Sequence, residues 1–348
     1  MSNVEIQPES QPAGTPAPVA AHGDALGSSR LNATNIQPIS KILQEKKLVL
    51  VTGKGGVGKS VISSFLALHA KHLGLRPLLF ECDAPPRPSL FPMGRDTDDV
   101  VQEVVPGIFA VNQNSDEAVK EYANAALPSR MLSDLLIENR ISRLFLRASP
   151  SVNEMALVGR MMQMAHKYAQ EGPIIVDLHA TGHALHMLRA PDGIMRVLRG
   201  GPVYDRAKIV QDFLFDPSNT SILTVAHPEE LPVTESLEFI AALAEMRAPL
   251  GPVLMNGFFE DSFPLLTDDV LATIQEHVPN GQEKTHDLWA LRQWANRCER
   301  EHGRLKNELN AFGLPLFTLP YLVSTPKRET IASALHAKIM ESPEGVVS

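Results

Sequence analysis

The sequence predicts an α/β fold, built as a doubly wound, mostly parallel sheet with helices on both faces. Short apolar runs of strand length alternate along the chain with longer segments of helical spacing, which is the pattern of such folds. Several of the runs are apolar at every position, as strands covered on both faces are. Hydrophobic residues make up 44% of the 348 residues, enough for a large core. The predicted strands are 48–52, 77–81, 107–111, 174–178, 221–225, 252–255 and 316–319.

The first predicted strand leads directly into a glycine-rich loop. Residues 53–60 read Gly-Lys-Gly-Gly-Val-Gly-Lys-Ser, and apolar helical spacing follows. This is the pattern G-x-x-x-x-G-K-[ST], in which glycines let the backbone approach phosphate closely and a helix N-terminus favours the anion. The fold is therefore expected to be that of a P-loop NTPase, with Lys59 on the β- and γ-phosphates and Ser60 on Mg²⁺. The predicted nucleotide-binding residues of the loop are Gly53, Lys54, Gly55, Gly56, Val57, Gly58, Lys59, Ser60 and Val61.

An acid at the end of a later strand belongs to the same predicted site. Residues 174–177 read Ile-Ile-Val-Asp, and parallel strands bring their carboxyl ends to one edge of a doubly wound sheet. In phosphate-loop proteins, an acid in this place lies opposite the loop and holds the Mg²⁺ shell. We therefore expect Ser60 and Asp177 to serve Mg²⁺, with ATP as the nucleotide.

Two regions depart from regular alternation. Residues 1–40 are rich in Pro, Ala, Ser, Gln and Gly, which predicts a disordered tail, because such a segment cannot bury enough surface to offset its ordering entropy. The rest, 41–348, is expected to form one ATPase domain. Within it, 113–170 and 183–215 have helical spacing and predict a helical insertion.

Methionines are concentrated in that insertion. Seven of the twelve methionines lie within 131–195, including Met161, Met162 and Met164. Adaptable methionine side chains suit a surface that binds a hydrophobic client. The same residues suit a core packed against the sheet, and the sequence leaves both interpretations open.

Charge and cysteine content limit the class of partner and compartment. A net charge of −8 argues against non-specific DNA binding, and we expect no nucleic-acid partner. No apolar stretch approaches the ~20 residues that span a bilayer, so no integral membrane span is expected. The first twenty residues are polar and proline-rich, unlike a signal peptide. The two cysteines, Cys82 and Cys298, cannot form a disulfide framework, and we expect a cytoplasmic protein.

Several motifs resemble those of the ArsA family, which includes the arsenical pump ATPase and the ATPase that targets tail-anchored membrane proteins. The phosphate loop carries the family's extra lysine, Lys54, and residues 177–183 read Asp-Leu-His-Ala-Thr-Gly-His, similar to the family's D-x-x-P-T-G-H. Ala180 stands where the family usually has proline. Residues 150–154, and 225–231 followed by Glu235, are similar to two further family segments, so that the resemblance covers about 46–335.

The resemblance implies roles for further residues. In the related MinD/ParA/ArsA class, the extra lysine reaches the nucleotide of the partner subunit, so Lys54 is expected to act in trans, in a homodimer or a heterodimer with a related ATPase. Asp83 matches the acid that positions the attacking water and completes the expected catalytic set with Lys54 and Lys59. Asn256 matches an asparagine whose amide reads adenine, and Pro320 lies in a stretch that matches a loop lining the base.

Departures from the family narrow the expected function. Cys298 is followed by Glu-Arg-Glu, so the C-x-x-C pair that clamps zinc in the eukaryotic targeting ATPase is absent. The metalloid-binding cysteine cluster and the second ATPase half of the arsenical pump are absent too, and arsenite transport does not follow. A metal site on His179, His183 and His186 is disfavoured by their irregular spacing.

The expected function is that of a Mg²⁺-dependent, ArsA-like ATPase. Its ATP-gated dimer would couple hydrolysis to binding and release of a hydrophobic client or protein partner through the helical insertion. Two alternatives stay open. One is a MinD/ParA-like positioning ATPase, for which residues 329–341 would be the membrane-binding helix. The other is a scaffold that binds ATP without appreciable turnover.

Overall fold

The protein is described from a computed structural model, over residues 29–82, 100–114, 117–119, 150–259, 268–278, 280–322 and 331–341. In this part of the chain, strands form one sheet in the order β1-β9-β8-β7-β2-β6-β3-β5-β4. Neighbouring strands are parallel except β4 and β5, which are antiparallel. The strands are β1 Ser29–Arg30, β2 Leu48–Gly53, β3 Leu78–Cys82, β4 Gln102–Val105, β5 Ile108–Gln113, β6 Ile174–Asp177, β7 Thr220–Ala226, β8 Leu250–Phe258 and β9 Leu316–Pro320.

Helices cover both faces of this sheet. One face carries α3, α4 and α5, and the other carries α1, α2 and α9. A third apolar cluster joins α6 and α8 to β8 and β9. The helices are α1 Gln37–Glu45, α2 Lys59–His72, α3 Pro150–Lys167, α4 Thr181–Leu198, α5 Pro202–Phe215, α6 Glu230–Glu245, α7 Asp268–His277, α8 Gly281–Leu309 and α9 Ile331–Met340.

The central strand β2 shows why the sheet is doubly covered. All six of its residues are buried. Leu48 and Leu50 contact the α3–α5 layer, whereas Val49 and Val51 contact the α1–α2 layer. Successive side chains of a strand point to opposite faces, so a continuous apolar run is what two covering layers require. On one side of β2 lie β7, β8 and β9, and on the other lie β6, β3, β5 and β4, with β6 between β2 and β3; the strand order therefore reverses beside β2.

The predicted α/β fold is confirmed, and all seven predicted strands are present with ends shifted by up to three residues. The sequence did not predict β1 or β4. Both are short, and β4 is an antiparallel edge strand whose positions are only partly buried. Short half-buried strands lack the continuous apolar pattern that identified the others.

The predicted boundary of the N-terminal tail at residue 40 is wrong. Residues 29–40 include β1, which pairs with β9, and the start of α1. Leu31, Ile36 and Ile39 are buried in the α1–α2 layer. These apolar residues are isolated among polar ones, so the average composition hid them. Residues 1–28 lie outside the described residues.

The methionines of α3 pack inward. Met161, Met162 and Met164 are 1–5% exposed and belong to the core between α3 and the sheet. Of the two interpretations that the sequence leaves open, this burial supports the core for these three methionines and does not support a client surface formed by them. Residues 120–149, with the rest of the insertion's first part, lie outside the described residues. Residues 183–215 form α4 and α5, which connect β6 to β7.

The last described helix is packed into the body of the molecule. Ala332, Leu335 and Ile339 of α9 are buried against α2. Its apolar face is thus occupied, which removes the main support for a membrane-binding helix at 329–341. None of the helices in the described ranges has the length and apolar character to cross a bilayer.

Candidate functional site: a nucleotide-binding edge

The phosphate loop joins β2 to α2 at the carboxyl edge of the sheet. Gly58 caps the N-terminus of α2 with φ 93°, in the left-handed region. A Cβ at this position would lie 2.3 Å from Nδ2 of Asn256, so both the backbone conformation and the space require glycine. The loop therefore turns tightly into the helix, whose first N–H groups form an anion-binding site.

Lys59 is the first residue of α2, and its ammonium lies over the loop. Its Nζ donates to the backbone oxygen of Lys54 at 3.0 Å. A phosphate group cradled by the loop would offer this ammonium a charged acceptor, which is a stronger partner than a carbonyl. The position fits the predicted contact with β- and γ-phosphates.

Ser60 and Asp177 are brought together by the pairing of β2 with β6. Val51 lies opposite Asp177 in that register, and Ser60 Oγ donates to Asp177 Oδ2 at 2.5 Å. A hydroxyl and a carboxylate beside a phosphate cradle are hard oxygen ligands of the kind Mg²⁺ takes together with substrate phosphates. The two residues therefore fit the predicted Mg²⁺ site.

Lys54 has a different partner from Lys59. Its Nζ forms an ion pair with Oε1 of Glu235 at 2.9 Å. Glu235 belongs to α6, the helix after β7, and β7 is the neighbour of β2 in the sheet. The sequence placed Glu235 in a segment similar to the family but gave it no role, because nothing in the sequence indicates a contact with the loop.

Asn256 and Pro320, the two predicted base contacts, lie at the ends of the next strands along the edge. Asn256 Nδ2 donates to the backbone oxygen of Val57 at 2.9 Å, so this amide supports the phosphate loop. Pro320 ends β9, opposite Phe258 of β8.

Beside Pro320 lies an aromatic cluster that the sequence analysis missed, formed by Phe259, Trp294 and Tyr321. The ring centroids of Trp294 lie 4.7 Å from Phe259 and 5.1 Å from Tyr321. The sequence signal was weak, since the three residues come from separate segments.

The remaining candidates divide into two groups. Asp83, the predicted water-positioning acid, lies outside the described residues, one position after the end of β3. His179 and His183 approach each other, with ring centroids 6.0 Å apart. No group of three or more His, Cys, Asp or Glu side chains that could hold a metal ion occurs in the described ranges.

An acid on α3, Glu154, interacts electrostatically with two histidines of α4, His183 and His186. Burial raises the pKa of Glu154, while the charges of His186 and His183 lower it. These residues link the start of α3 electrostatically to α4, the helix that follows Asp177.

Comparison with known proteins supports this interpretation of the site. Residues 46–200 match the family model described as an anion-transporting ATPase, ArsA. ATPase BagA of Mycobacterium tuberculosis is 29% identical over 231 residues, which cover 60% of this chain and 64% of that protein. ATPase ARSA1 of Chlamydomonas reinhardtii is 26% identical over 313 residues, which cover 70% of this chain and 39% of that relative. ATPase GET3C of Arabidopsis thaliana is 24% identical over 200 residues, which cover 49% of this chain and 50% of that protein.

The matched region spans less than two thirds of the length of each of these relatives. Within it lie the strand β2, the phosphate loop and Asp177, which are the parts that form the described site. The fold, the phosphate loop and these relatives agree, and residues 46–200 of the chain are similar to the ATPases of the ArsA family.

Proposed function

We propose that the protein is a Mg²⁺-dependent ATPase whose ATP-bound dimer binds and releases a hydrophobic client or protein partner. The single observation that carries the proposal is the arrangement of Lys59, Ser60 and Asp177 around the phosphate loop. Hydrolysis of ATP requires phosphate binding, charge compensation and metal ligation in one place. These residues bring the groups suited to the three tasks together at one edge of the sheet.

Each residue has a separate task in this proposal. The loop from Gly53 to Ser60 holds the phosphates through backbone N–H groups, and Lys59 compensates β- and γ-phosphate charge. Ser60 and Asp177 hold Mg²⁺, which when bound neutralises charge that develops on the phosphates. Asp83 orients the attacking water, and Asn256 and Pro320 accommodate the base.

Coupling to a client is proposed through the segments that follow the site. Asp177 ends β6, and α4 begins four residues later at Thr181, so a change at the γ-phosphate has a short path to α4 and to α3, which packs on it. Since the α3 methionines are internal, the client surface is proposed for 131–146. That segment carries Met131, Leu132, Leu135, Leu136 and Ile137 at helical spacing.

A steady-state ATPase assay tests the proposal directly. Turnover should require Mg²⁺, and Asp177→Asn should depress it strongly, because the amide cannot supply the carboxylate that holds the metal. Gln163→Ala, an exposed change on α3, serves as control. If the protein binds ATP but shows no Mg²⁺-dependent turnover, the proposed ATPase activity is refuted, and the alternative of an ATP-binding scaffold is supported.

A further inference from the structure

The ion pair between Lys54 and Glu235 joins the phosphate loop to α6 within one subunit. We infer that Glu235 is a positioning residue for Lys54, which holds the ammonium on its own subunit until ATP-driven dimerisation releases it. The inference rests on the proposed role of Lys54 at the partner's nucleotide. It adds Glu235, which lies outside the phosphate-loop motif, and it makes the release of Lys54 from Glu235 a condition for dimerisation.

The carboxylate is the fixed member of the pair. Val233 and Ser236, which flank Glu235 on α6, are buried, and Ser236 Oγ donates to the Pro232 backbone oxygen. Thr234 accepts a hydrogen bond from Arg304 of α8 at 3.0 Å, which ties the same turn to a second helix. Glu235 is thus presented from a helix that is anchored on both sides.

The lysine is the movable member. Lys54 is followed by two exposed glycines, Gly55 and Gly56, and a Cβ on either would meet no atom within 4 Å. Its backbone oxygen accepts the Lys59 ammonium, so the contacts shown for this limb of the loop are polar and exchangeable. A phosphate that draws Lys59 away also removes the contact that holds the backbone of Lys54.

Breaking the ion pair between Lys54 and Glu235 costs electrostatic energy, which opposes dimerisation unless the partner's nucleotide offers Lys54 another anion. If Lys54 leaves, the Glu235 carboxylate loses its counter-charge close to a site that binds phosphate, and like charges repel. The side chains of Lys54 and Glu235 are 25% and 34% exposed, so water screens the pair. Such pairs change an equilibrium by up to about fivefold, which is strong enough to bias the position of a lysine and weak enough to be broken.

The test compares Glu235→Gln with Glu238→Gln in the full chain. Glu238 is exposed on the same helix, one turn further along, and it controls for the loss of one negative charge. With saturating Mg²⁺-ATP, sedimentation velocity gives the monomer–dimer dissociation constant. We expect Glu235→Gln to lower this constant by about two- to fivefold and Glu238→Gln to leave it at the wild-type value. The kcat of fully dimeric protein should be the same in all three.

Two further measurements identify the cause. Glu235→Ala, which removes the same carboxylate without supplying an amide, should lower the dissociation constant as Glu235→Gln does. The advantage of Glu235→Gln should also shrink at high salt, which already screens the pair in the wild type. Melting temperatures within a few degrees of wild type exclude a folding effect.

The outcomes separate this inference from the proposed function. Wild-type protein that stays monomeric with Mg²⁺-ATP overturns the dimeric ATPase and the inference with it. A wild type that dimerises, with Glu235→Gln equal to Glu238→Gln, overturns the positioning role alone. A weaker dimer in Glu235→Gln also overturns it, since Glu235 would then be needed in the dimer rather than against it.

Discussion

At the residue scale, two lysines of one loop have different surroundings. Lys59 Nζ lies against a backbone oxygen of the loop, whereas Lys54 Nζ lies against a carboxylate on α6. Their charges are equal, so their positions decide the roles that we expect of them: Lys59 starts α2 at the loop where phosphate is expected to bind, and Lys54 lies on the outer limb of the loop. Losses of the two ammonium groups should therefore have different consequences.

Lys59→Ala should weaken Mg²⁺-ATP binding by at least about tenfold, because the phosphates lose their main point-charge partner. Calorimetric titration measures the affinity. Lys71→Ala, an exposed change at the other end of α2, should bind ATP like the wild type. Equal affinity in Lys59→Ala and wild type would refute the assignment of the phosphate loop.

At the scale of elements, α2 and α9 meet in a cluster of histidines. The rings of His69 and His336 lie 5.7 Å apart, and His72 is close to both. Burial lowers the pKa of His69 to about 4, assisted by the charges of His336 and His72. Burial, with the charge of His72, also lowers the pKa of His336. The fold therefore disfavours a positive charge on either ring.

The hydrogen bonds of His69 explain why a proton is unfavourable there. The Ser40 hydroxyl donates to the backbone oxygen of Ile36, and Nε2 of His69 contacts the same hydroxyl at 2.9 Å. We assign the ring hydrogen to Nε2, which leaves Nδ1 as the acceptor. Nδ1 is buried with no hydrogen-bond partner among the described residues, so a proton on it would lack an acceptor.

Stability should fall as the pH drops below about 6.5, the ordinary pKa of these groups. Between this pH and about pH 4, His69 is protonated in the unfolded chain but not in the folded chain, which favours unfolding. The contribution of His69 to the free energy of unfolding is therefore complete above about pH 6.5 and declines down to about pH 4. Each histidine contributes up to about 1.4 kcal/mol per pH unit. Urea unfolding at several pH values measures the slope, which His69→Gln should reduce and the exposed change His277→Gln should not. An unchanged slope in His69→Gln would assign the acid sensitivity to other groups.

The helix α3 belongs to the core, and its methionines should behave as core residues. Met161→Ala should lower the free energy of unfolding by about 2–5 kcal/mol, through lost burial and a residual cavity. Chemical denaturation measures the change, with Gln163→Ala on the same helix expected within about 0.5 kcal/mol of wild type. ATPase activity per folded molecule should persist. A loss below about 1 kcal/mol would mean that α3 packs more loosely than its burial indicates.

At the scale of the whole molecule, the nucleotide edge is built by strands from the middle of the sheet. β2 contributes the loop, β6 contributes Asp177, and β7 leads to Glu235. A second subunit placed against this edge would bring two triphosphates together. Lysines contributed from each side would offset their repulsion.

Lys54→Ala should therefore leave ATP binding largely intact but abolish the ATP-stabilised dimer and turnover. Mixing Lys54→Ala with Asp83→Asn subunits gives the sharper test. In a mixed dimer, both defects fall in one site, and the other has an intact Asp83 and an incoming Lys54. Turnover should recover toward about half per dimer if the sites act independently. Mixed dimers seen by mass spectrometry without any recovery would contradict independent action in trans.

The sequence by itself determined the parts that local pattern specifies. The phosphate loop is a continuous motif whose glycines are needed for backbone geometry, as Gly58 shows. Continuous apolar runs identified seven strands, and the acid at the end of one of them was expected beside Ser60, where it lies. Parallel strands align their ends, so position in sequence predicted position in space.

Only the tertiary structure decided which side chains meet across elements. The Lys54–Glu235 pair, the Asn256 amide on the loop backbone and the histidine cluster join distant segments. The burial of the α3 methionines also needed the structure, since methionine suits a core and a binding surface equally well. These contacts depend on how layers pack on the sheet, and a pattern along the chain specifies which face of an element is apolar but not what covers it.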